Sequence, residues 1–180
     1  MENPVIVSAV RTPIGKFLGT LAGIQAQRLG AIAVKEAVVR AGLKPDRIDE
    51  VIMGNVVTAG EGMCPARQAA VRGGVPVKAA ALTINKVCGS GLKAVGLAAQ
   101  GIQVGDTEIV VAGGMESMSN TPYLLPKMRE GYRMGHSQVL DSVIKDGLWD
   151  AFEDYHMGCT AEIISEKYGI TREQQDEYSL

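Results

Sequence analysis

The stretch around residues 79–103 constrains the fold most, because its hydrophobic pattern changes there from that of a strand to that of a helix. Residues 79–87 are almost all small, apolar or β-branched, whereas apolar residues recur with helical spacing at positions 92, 95, 99 and 102. The change falls at residues 88–91, Cys-Gly-Ser-Gly. The sequence therefore predicts a buried strand that ends at a thiol and turns at once into a helix.

Cys88 is a candidate nucleophile in this setting. Gly89 and Gly91 allow a tight turn and leave the sulfur uncovered. The first N–H groups of the following helix and the positive end of its dipole face the sulfur, which favours the reactive thiolate form. The structural alternative is an inert thiol, because free cysteines are among the residues most often buried.

The same residues also fit a dinucleotide-binding pattern. Residues 89–94 read Gly-x-Gly-x-x-Ala between a predicted strand and a predicted helix. That pattern requires an acidic residue at the end of the next strand, about 20 residues on. The next predicted strand covers residues 107–112, and the first acidic residue after it is Glu116, beyond two glycines. A dinucleotide-binding oxidoreductase is therefore the less supported alternative.

The order of apolar segments predicts an α/β fold with a mixed, mostly parallel sheet and helices on both faces. Strands and helices alternate in the first two thirds of the chain. Hydrophobic residues make up 46% of the chain and aromatic residues 4%, so the core is aliphatic, as in parallel sheets buried on both faces. Besides the segments above, we predict strands at residues 5–10 and 51–56 and helices at residues 24–41 and 66–72.

The chain changes character after about residue 118. Residues 121–154 are short polar and mixed segments with little periodicity, which is typical of a functional or assembly loop. A helix then ends at Gly169, and Thr171 to Gln174 match a capping box that opens another helix. We predict an α/β domain at residues 1–118 and a partial loop domain at residues 119–180, truncated within a helix.

Composition and charge argue against several classes of binding partner. A net charge of −2 without a basic block argues against nucleic acid, and no run of 18 apolar residues or leader peptide is present. We expect a cytoplasmic protein with no membrane or nucleic-acid partner. Three cysteines without paired spacing and two histidines predict no metal site.

Five blocks of sequence form an ordered set along the chain, and the most specific is Asn-Lys-Val-Cys-Gly-Ser-Gly-Leu-Lys-Ala at residues 85–94. This block is similar to the active-site motif of the thiolase family, the acetyl-CoA C-acetyltransferases and 3-ketoacyl-CoA thiolases. The others follow the family's order at residues 11–17, 65–70, 113–119 and 157–162. Within the family, the chain is most similar to the bacterial enzymes that make or cleave acetoacetyl-CoA.

The resemblance implies ping-pong acyl transfer in fatty acid metabolism. Cys88 attacks an acyl-CoA thioester, and its own backbone N–H helps to hold the oxyanion. The acyl group then condenses with a second acetyl-CoA, and the reverse reaction is thiolysis. Coenzyme A thioesters are substrates, so no cofactor is expected.

The resemblance also implies roles for three residues of the second domain and for its loop. His156 and Met157 line the pantetheine and acyl part of the pocket, and Leu148 contacts the CoA. His156 capping a helix and Met157 filling a core are the structural alternatives. Residues 121–154 correspond to a tetramerisation loop, so a homo-oligomer, a dimer of dimers, is expected for the full-length protein.

Two departures from the family pattern matter. Met63 and Cys64 stand where the family commonly has Gln-Asn, so Cys64 is expected to be structural; Cys159 receives no role. The chain also has no Gly-His-Pro, Asn-Glu-Ala-Phe or late Cys-x-Gly motif, which the second half of a thiolase supplies. We therefore expect an N-terminal portion with negligible turnover alone, whose helix after Cys88 lies between two halves. The alternative is an assembly module that pairs with a separately encoded second half.

Overall fold

The computed structural model describes residues 3–180, which divide between Pro122 and Tyr123 into two compact units. The first unit contains α1 (Ala26–Arg40), β1 (Glu50–Gly54), α2 (Pro65–Arg72), β2 (Ala80–Ile84), α3 (Ser90–Val104) and β3 (Val110–Gly114). The second contains β4 (Tyr123–Leu124), β5 (Leu140–Asp141), a π-helix (Val143–Leu148), α4 (Met157–Tyr168) and α5 (Arg172–Ser179).

The first unit is built on a three-stranded parallel sheet in the order β2-β1-β3. Side chains of the central strand alternate between its two faces. Val51 and Met53 pack into one cluster with residues of α1 and α2, whereas Ile52 packs against Ala94 and Ala98 of α3. Because helices cover both faces, the strands are aliphatic throughout. The predicted α/β fold with a parallel sheet and helices on both faces is confirmed.

The predicted strand at residues 5–10 is wrong. The structure assigns no strand there, and the side chains of Val5, Ile6 and Val7 are between 66% and 78% exposed. A β-branched run has the propensity for a strand, but a strand forms only where it pairs with a neighbour. Among the described residues, neither β2 nor β3 pairs with this segment along its outer edge.

The predicted strand at residues 79–87 is shorter and less buried than expected. β2 ends at Ile84, where its pairing with β1 also ends opposite Gly54. β2 lies at the edge of the sheet, and Leu82 is 42% exposed. The chain therefore reaches Cys88 through a five-residue connection, residues 85–89, and does not pass directly from strand to helix.

The second unit contains little regular structure before α4. β4 and β5 form a two-residue antiparallel pair, and Ser142 and Val143 beside it are buried. α4 ends at Gly169, whose φ of 65° is left-handed, and Thr171 with Gln174 forms the predicted capping box of α5. No helix within the described residues is long and apolar enough to span a membrane.

α2 begins at a strained residue. Cys64, the N-cap, has φ 42° and ψ 76°, and its side chain makes no capping hydrogen bond. The amide of Ala66 is satisfied instead by Thr83 Oγ1 of β2 at 2.9 Å. A cysteine in left-handed backbone is uncommon, and asparagine is the non-glycine residue that tolerates this conformation best.

We expect Cys64→Asn to raise the free energy of unfolding by roughly 0.5–1 kcal/mol, because asparagine relieves part of the left-handed strain. The matched control is Cys64→Ala, which removes the sulfur but retains a residue that is strained at positive φ. Urea unfolding of both variants measures the difference. Equal free energies of unfolding for the two variants would contradict the conclusion that the left-handed backbone at Cys64 is strained.

Candidate active site

Cys88 lies on the connection between β2 and α3, two residues before the first residue of the helix. Its thiol is free and exposed, and Gly89 is the N-cap of α3. Within the described residues, no side chain forms a hydrogen bond with the sulfur. The turn therefore presents an open sulfur atom beside the first N–H groups of a helix.

The start of α3 packs directly on the end of the central strand. A Cβ atom added to Gly54 of β1 would lie only 2.6 Å from Ser90 Cβ. A Cβ on Gly114 of β3 would lie 3.3 Å from Gly91 Cα. These glycines bring the helix onto the carboxyl ends of β1 and β3, which is the edge where parallel α/β sheets bind ligands.

Val87, the residue before Cys88, is held in left-handed backbone with φ 45°. For a β-branched residue this conformation costs about 1–2 kcal/mol. Its amide donates to Asn85 Oδ1 at 2.9 Å, and its carbonyl accepts from Ser90 Oγ at 2.6 Å. Hydrogen bonds at both ends of the residue thus hold the conformation that orients the peptide before Cys88.

A carboxylate anchors the turn from the opposite side. Glu116 accepts hydrogen bonds from the amides of Val56 at 2.7 Å and Val57 at 3.3 Å, and from Asn55 Nδ2 at 3.0 Å. The carbonyl of Val56 in turn accepts from Asn85 Nδ2 at 3.3 Å. Glu116 therefore fixes the segment after β1, and through it the side chain that holds the Val87 amide.

Glu61 adds a second carboxyl group to this cluster. Burial raises the pKa of Glu61 to about 7, and the negative charge of Glu116 adds to the rise, while the nearby side-chain amide of Asn55 opposes it. In the described part of the chain, Glu61 Oε2 and Asn55 Oδ1 are buried without a hydrogen-bond partner. A proton on Glu61 supplies a donor where two buried acceptors otherwise lack one.

The three predicted substrate-contacting residues lie in the second unit. Leu148 ends the π-helix next to Trp149, which pairs in an antiparallel bridge with His156. His156 Nδ1 accepts from the amide of Gly158 at 2.9 Å and so caps α4, whose first residue is Met157. All three side chains are partly buried, and the bridge between Trp149 and His156 brings the end of the π-helix to the start of α4.

The groups available for chemistry in the Cys88 turn are a thiol and backbone N–H donors. Within residues 3–180, no three His, Cys, Asp or Glu side chains are grouped to hold a metal ion. Sequence reasoning selected Cys88 but assigned no role to Asn85, Ser90 or Glu116. The signal for Ser90 and Glu116 was their position after the end of a predicted buried strand, whereas Asn85 lies inside the predicted strand at residues 79–87.

The structure is that of an α/β protein with an exposed cysteine on a strand-turn-helix junction, at the carboxyl edge of a parallel sheet. The family model described as "Thiolase, N-terminal domain" matches residues 4–180. The chain therefore belongs to the thiolase family.

Individual relatives agree with this assignment. The acetyl-CoA acetyltransferase of Cupriavidus necator is 58% identical over 180 residues, which are 100% of this chain and 46% of that protein. The acetyl-CoA acetyltransferase of Pseudomonas aeruginosa is 56% identical over 99% of this chain and 46% of its own length. Acetyl-CoA acetyltransferase 1 of Arabidopsis thaliana is 53% identical over 97% of this chain and 42% of its own length. The chain spans about half the length of the curated relatives it matches.

The Glu61 carboxyl group predicts a pH dependence of stability. Its pKa is about 7 in the folded chain against an ordinary value of 4.5, so the folded state binds more protons between these values. The contribution of this group to the free energy of unfolding is fully present below about pH 4.5 and is lost as pH rises through about 7. Because the side chain is only partly buried, solvent screening reduces the effect to about 1–2 kcal/mol.

We therefore expect Glu61→Gln to remove this loss, so that the variant gains stability relative to the unmodified protein between pH 5 and pH 8. Urea unfolding at several pH values measures the difference. The matched control is Glu130→Gln, which changes an exposed glutamate. A constant difference between Glu61→Gln and the unmodified protein across this range would contradict the raised pKa.

Proposed function

We propose that this chain carries the nucleophile of a thiolase and that Cys88 accepts an acyl group from a coenzyme A thioester. The observation that supports this most is the exposed Cys88 thiol at the start of α3, on a turn held by Asn85 and Ser90. The surrounding sequence resembles the family's active-site motif, and the curated relatives are acetyl-CoA acetyltransferases.

The proposed first step is transfer of the acetyl group to sulfur. The Cys88 thiol loses its proton to solvent, and the thiolate attacks the thioester carbonyl carbon to form a new C–S bond. The carbonyl oxygen becomes an oxyanion, which the backbone N–H of Cys88 stabilises. The C–S bond to coenzyme A then breaks, and the departing thiolate takes up a proton to give free coenzyme A.

The proposed second step joins the acetyl group to a second acetyl-CoA, giving acetoacetyl-CoA, or runs in reverse as thiolysis. Both directions need groups that take and return protons. No described side chain is hydrogen-bonded to Cys88 Sγ, and the relatives are about twice as long as this chain. We therefore propose that residues 3–180 alone support acylation with negligible turnover.

We propose that Leu148, His156 and Met157 contact the coenzyme A thioester. The bond from the Gly158 amide occupies His156 Nδ1 as an acceptor, which places the proton of the neutral ring on Nε2. His156 then offers a single N–H donor to the substrate. The capping role and the binding role are compatible, because they use different nitrogens.

We further propose a homo-oligomeric, cytoplasmic enzyme of fatty acid metabolism, with no cofactor. Assembly is supported by the exposed apolar side chains of the loop region, which include Met128, Met134 and Phe152. These are side chains that subunit contacts commonly cover. The molecular mass of the purified full-length protein in solution tests the proposed oligomer. It is compared with the mass of a variant in which these three exposed side chains are replaced.

The central experiment is incubation with acetyl-CoA followed by peptide mass spectrometry. We expect one acetyl group per chain, located on Cys88, because the turn held by Asn85 and Ser90 orients the backbone N–H that is proposed to stabilise the oxyanion. Cys64→Ser and Cys159→Ser, which replace the two other exposed thiols, are expected to leave the modification unchanged.

Acetylation spread evenly over the three cysteines, or retained at full stoichiometry in Cys88→Ala, would refute the proposed function. The dinucleotide-binding alternative makes a different prediction. It requires NADH fluorescence to change on binding, and the change to persist in Cys88→Ser.

A further inference from the structure

We propose that Ser90 is a positioning residue for acyl transfer, whose buried hydroxyl orients and polarises the peptide between Val87 and Cys88. This inference rests on the proposed function, because the N–H of that peptide is the proposed donor to the oxyanion. Ser90 does not contact the substrate in this account and acts only through the peptide.

The Ser90 hydroxyl makes two hydrogen bonds within the turn. It accepts from the amide of Lys86 at 2.8 Å and donates to the carbonyl of Val87 at 2.6 Å. The amide can only donate, so the single hydroxyl hydrogen is directed to the carbonyl. The Val87 carbonyl also accepts from the backbone amide of Ser90 at 3.1 Å.

The two hydrogen bonds to the Val87 carbonyl also affect the N–H group of the same peptide, which belongs to Cys88. Electron density drawn toward the Val87 oxygen makes the N–H of Cys88 a stronger hydrogen-bond donor, the cooperativity known for linked hydrogen bonds. The two bonds also fix the plane of the peptide and hence the direction of its N–H. Catalysis by oxyanion stabilisation depends on a donor that is oriented before the charge develops.

The position of Ser90 is itself tightly fixed. The residue is 4% exposed, and the space beside its Cβ is so limited that Gly54 cannot carry a side chain. The hydroxyl therefore acts from a rigid point at the junction of α3 and β1. Val87, in contrast, is strained at φ 45° and would relax if the bond to its carbonyl were lost.

The test compares two reactions of the same sulfur. Acetylation by acetyl-CoA passes through an oxyanion, whereas alkylation by iodoacetamide displaces iodide from a saturated carbon and forms none. A residue that only exposes or ionises Cys88 affects both rates. A residue that orients the oxyanion donor affects acetylation alone.

We expect Ser90→Ala to slow acetylation of Cys88 by roughly tenfold, less than the loss of a whole oxyanion donor, because the N–H remains but is weaker and less well oriented. Alkylation of Cys88 is expected to change by less than about twofold, since this reaction needs no oxyanion donor. Peptide mass spectrometry follows both reactions, with the exposed Cys64 and Cys159 as internal references for alkylation.

The matched control is Ser117→Ala. Ser117 is also buried, and its hydroxyl donates to the carbonyl of Ile24 at 3.0 Å, so the substitution removes a comparable bond outside the Cys88 turn. Both rates at Cys88 are expected to stay unchanged in this variant.

The proposal is overturned if Ser90→Ala leaves acetylation unchanged, or if it lowers acetylation and alkylation by the same factor. If the unmodified protein is alkylated at Cys88 but never acetylated, the proposed function fails and this inference fails with it. Acetylation of the unmodified protein with an unchanged ratio in Ser90→Ala overturns the role of Ser90 alone.

Discussion

The close packing of α3 on the end of β1 is the contact on which the Cys88 turn depends. Gly54 has no room for a Cβ beside Ser90, so the helix starts against the strand backbone itself. From that point the Ser90 hydroxyl reaches back to the Lys86 amide and the Val87 carbonyl. The strain at Val87 is retained because both ends of the residue are hydrogen-bonded. The sulfur that follows is consequently held at a defined position although it is exposed.

A buried polar cluster supports the turn from the other side. Glu116 accepts hydrogen bonds from two backbone amides after β1. Burial and the charge of Glu116 raise the pKa of the neighbouring Glu61 to about 7. Burying two carboxyl groups together is unfavourable unless one is protonated or both are well bonded. This unfavourable pair of carboxyl groups lies at the carboxyl edge of the sheet, next to the turn that carries Cys88.

Local patterns in the sequence are sufficient to predict much of the fold. The capping box at Thr171, the stop at Gly169 and the apolar periodicity of α3 each depend on residues near one another in the chain. The strand expected at residues 5–10 depends on a distant partner, and propensity alone gave the wrong result there. The same limit applies to the site: Cys88 was identified from its glycines and from the family motif, whereas the role of Ser90 requires the positions of Lys86 and Val87.

The central claim is that the N–H of Cys88 holds the oxygen of an acyl group attached to its own sulfur. A crystal structure of the protein after reaction with acetyl-CoA tests this most directly. The account predicts an acetyl group on Cys88 with its carbonyl oxygen within about 3 Å of the Cys88 backbone nitrogen. An acetyl group on Cys88 whose oxygen points away from that nitrogen, or acetylation at Cys64 or Cys159 instead, would contradict the account.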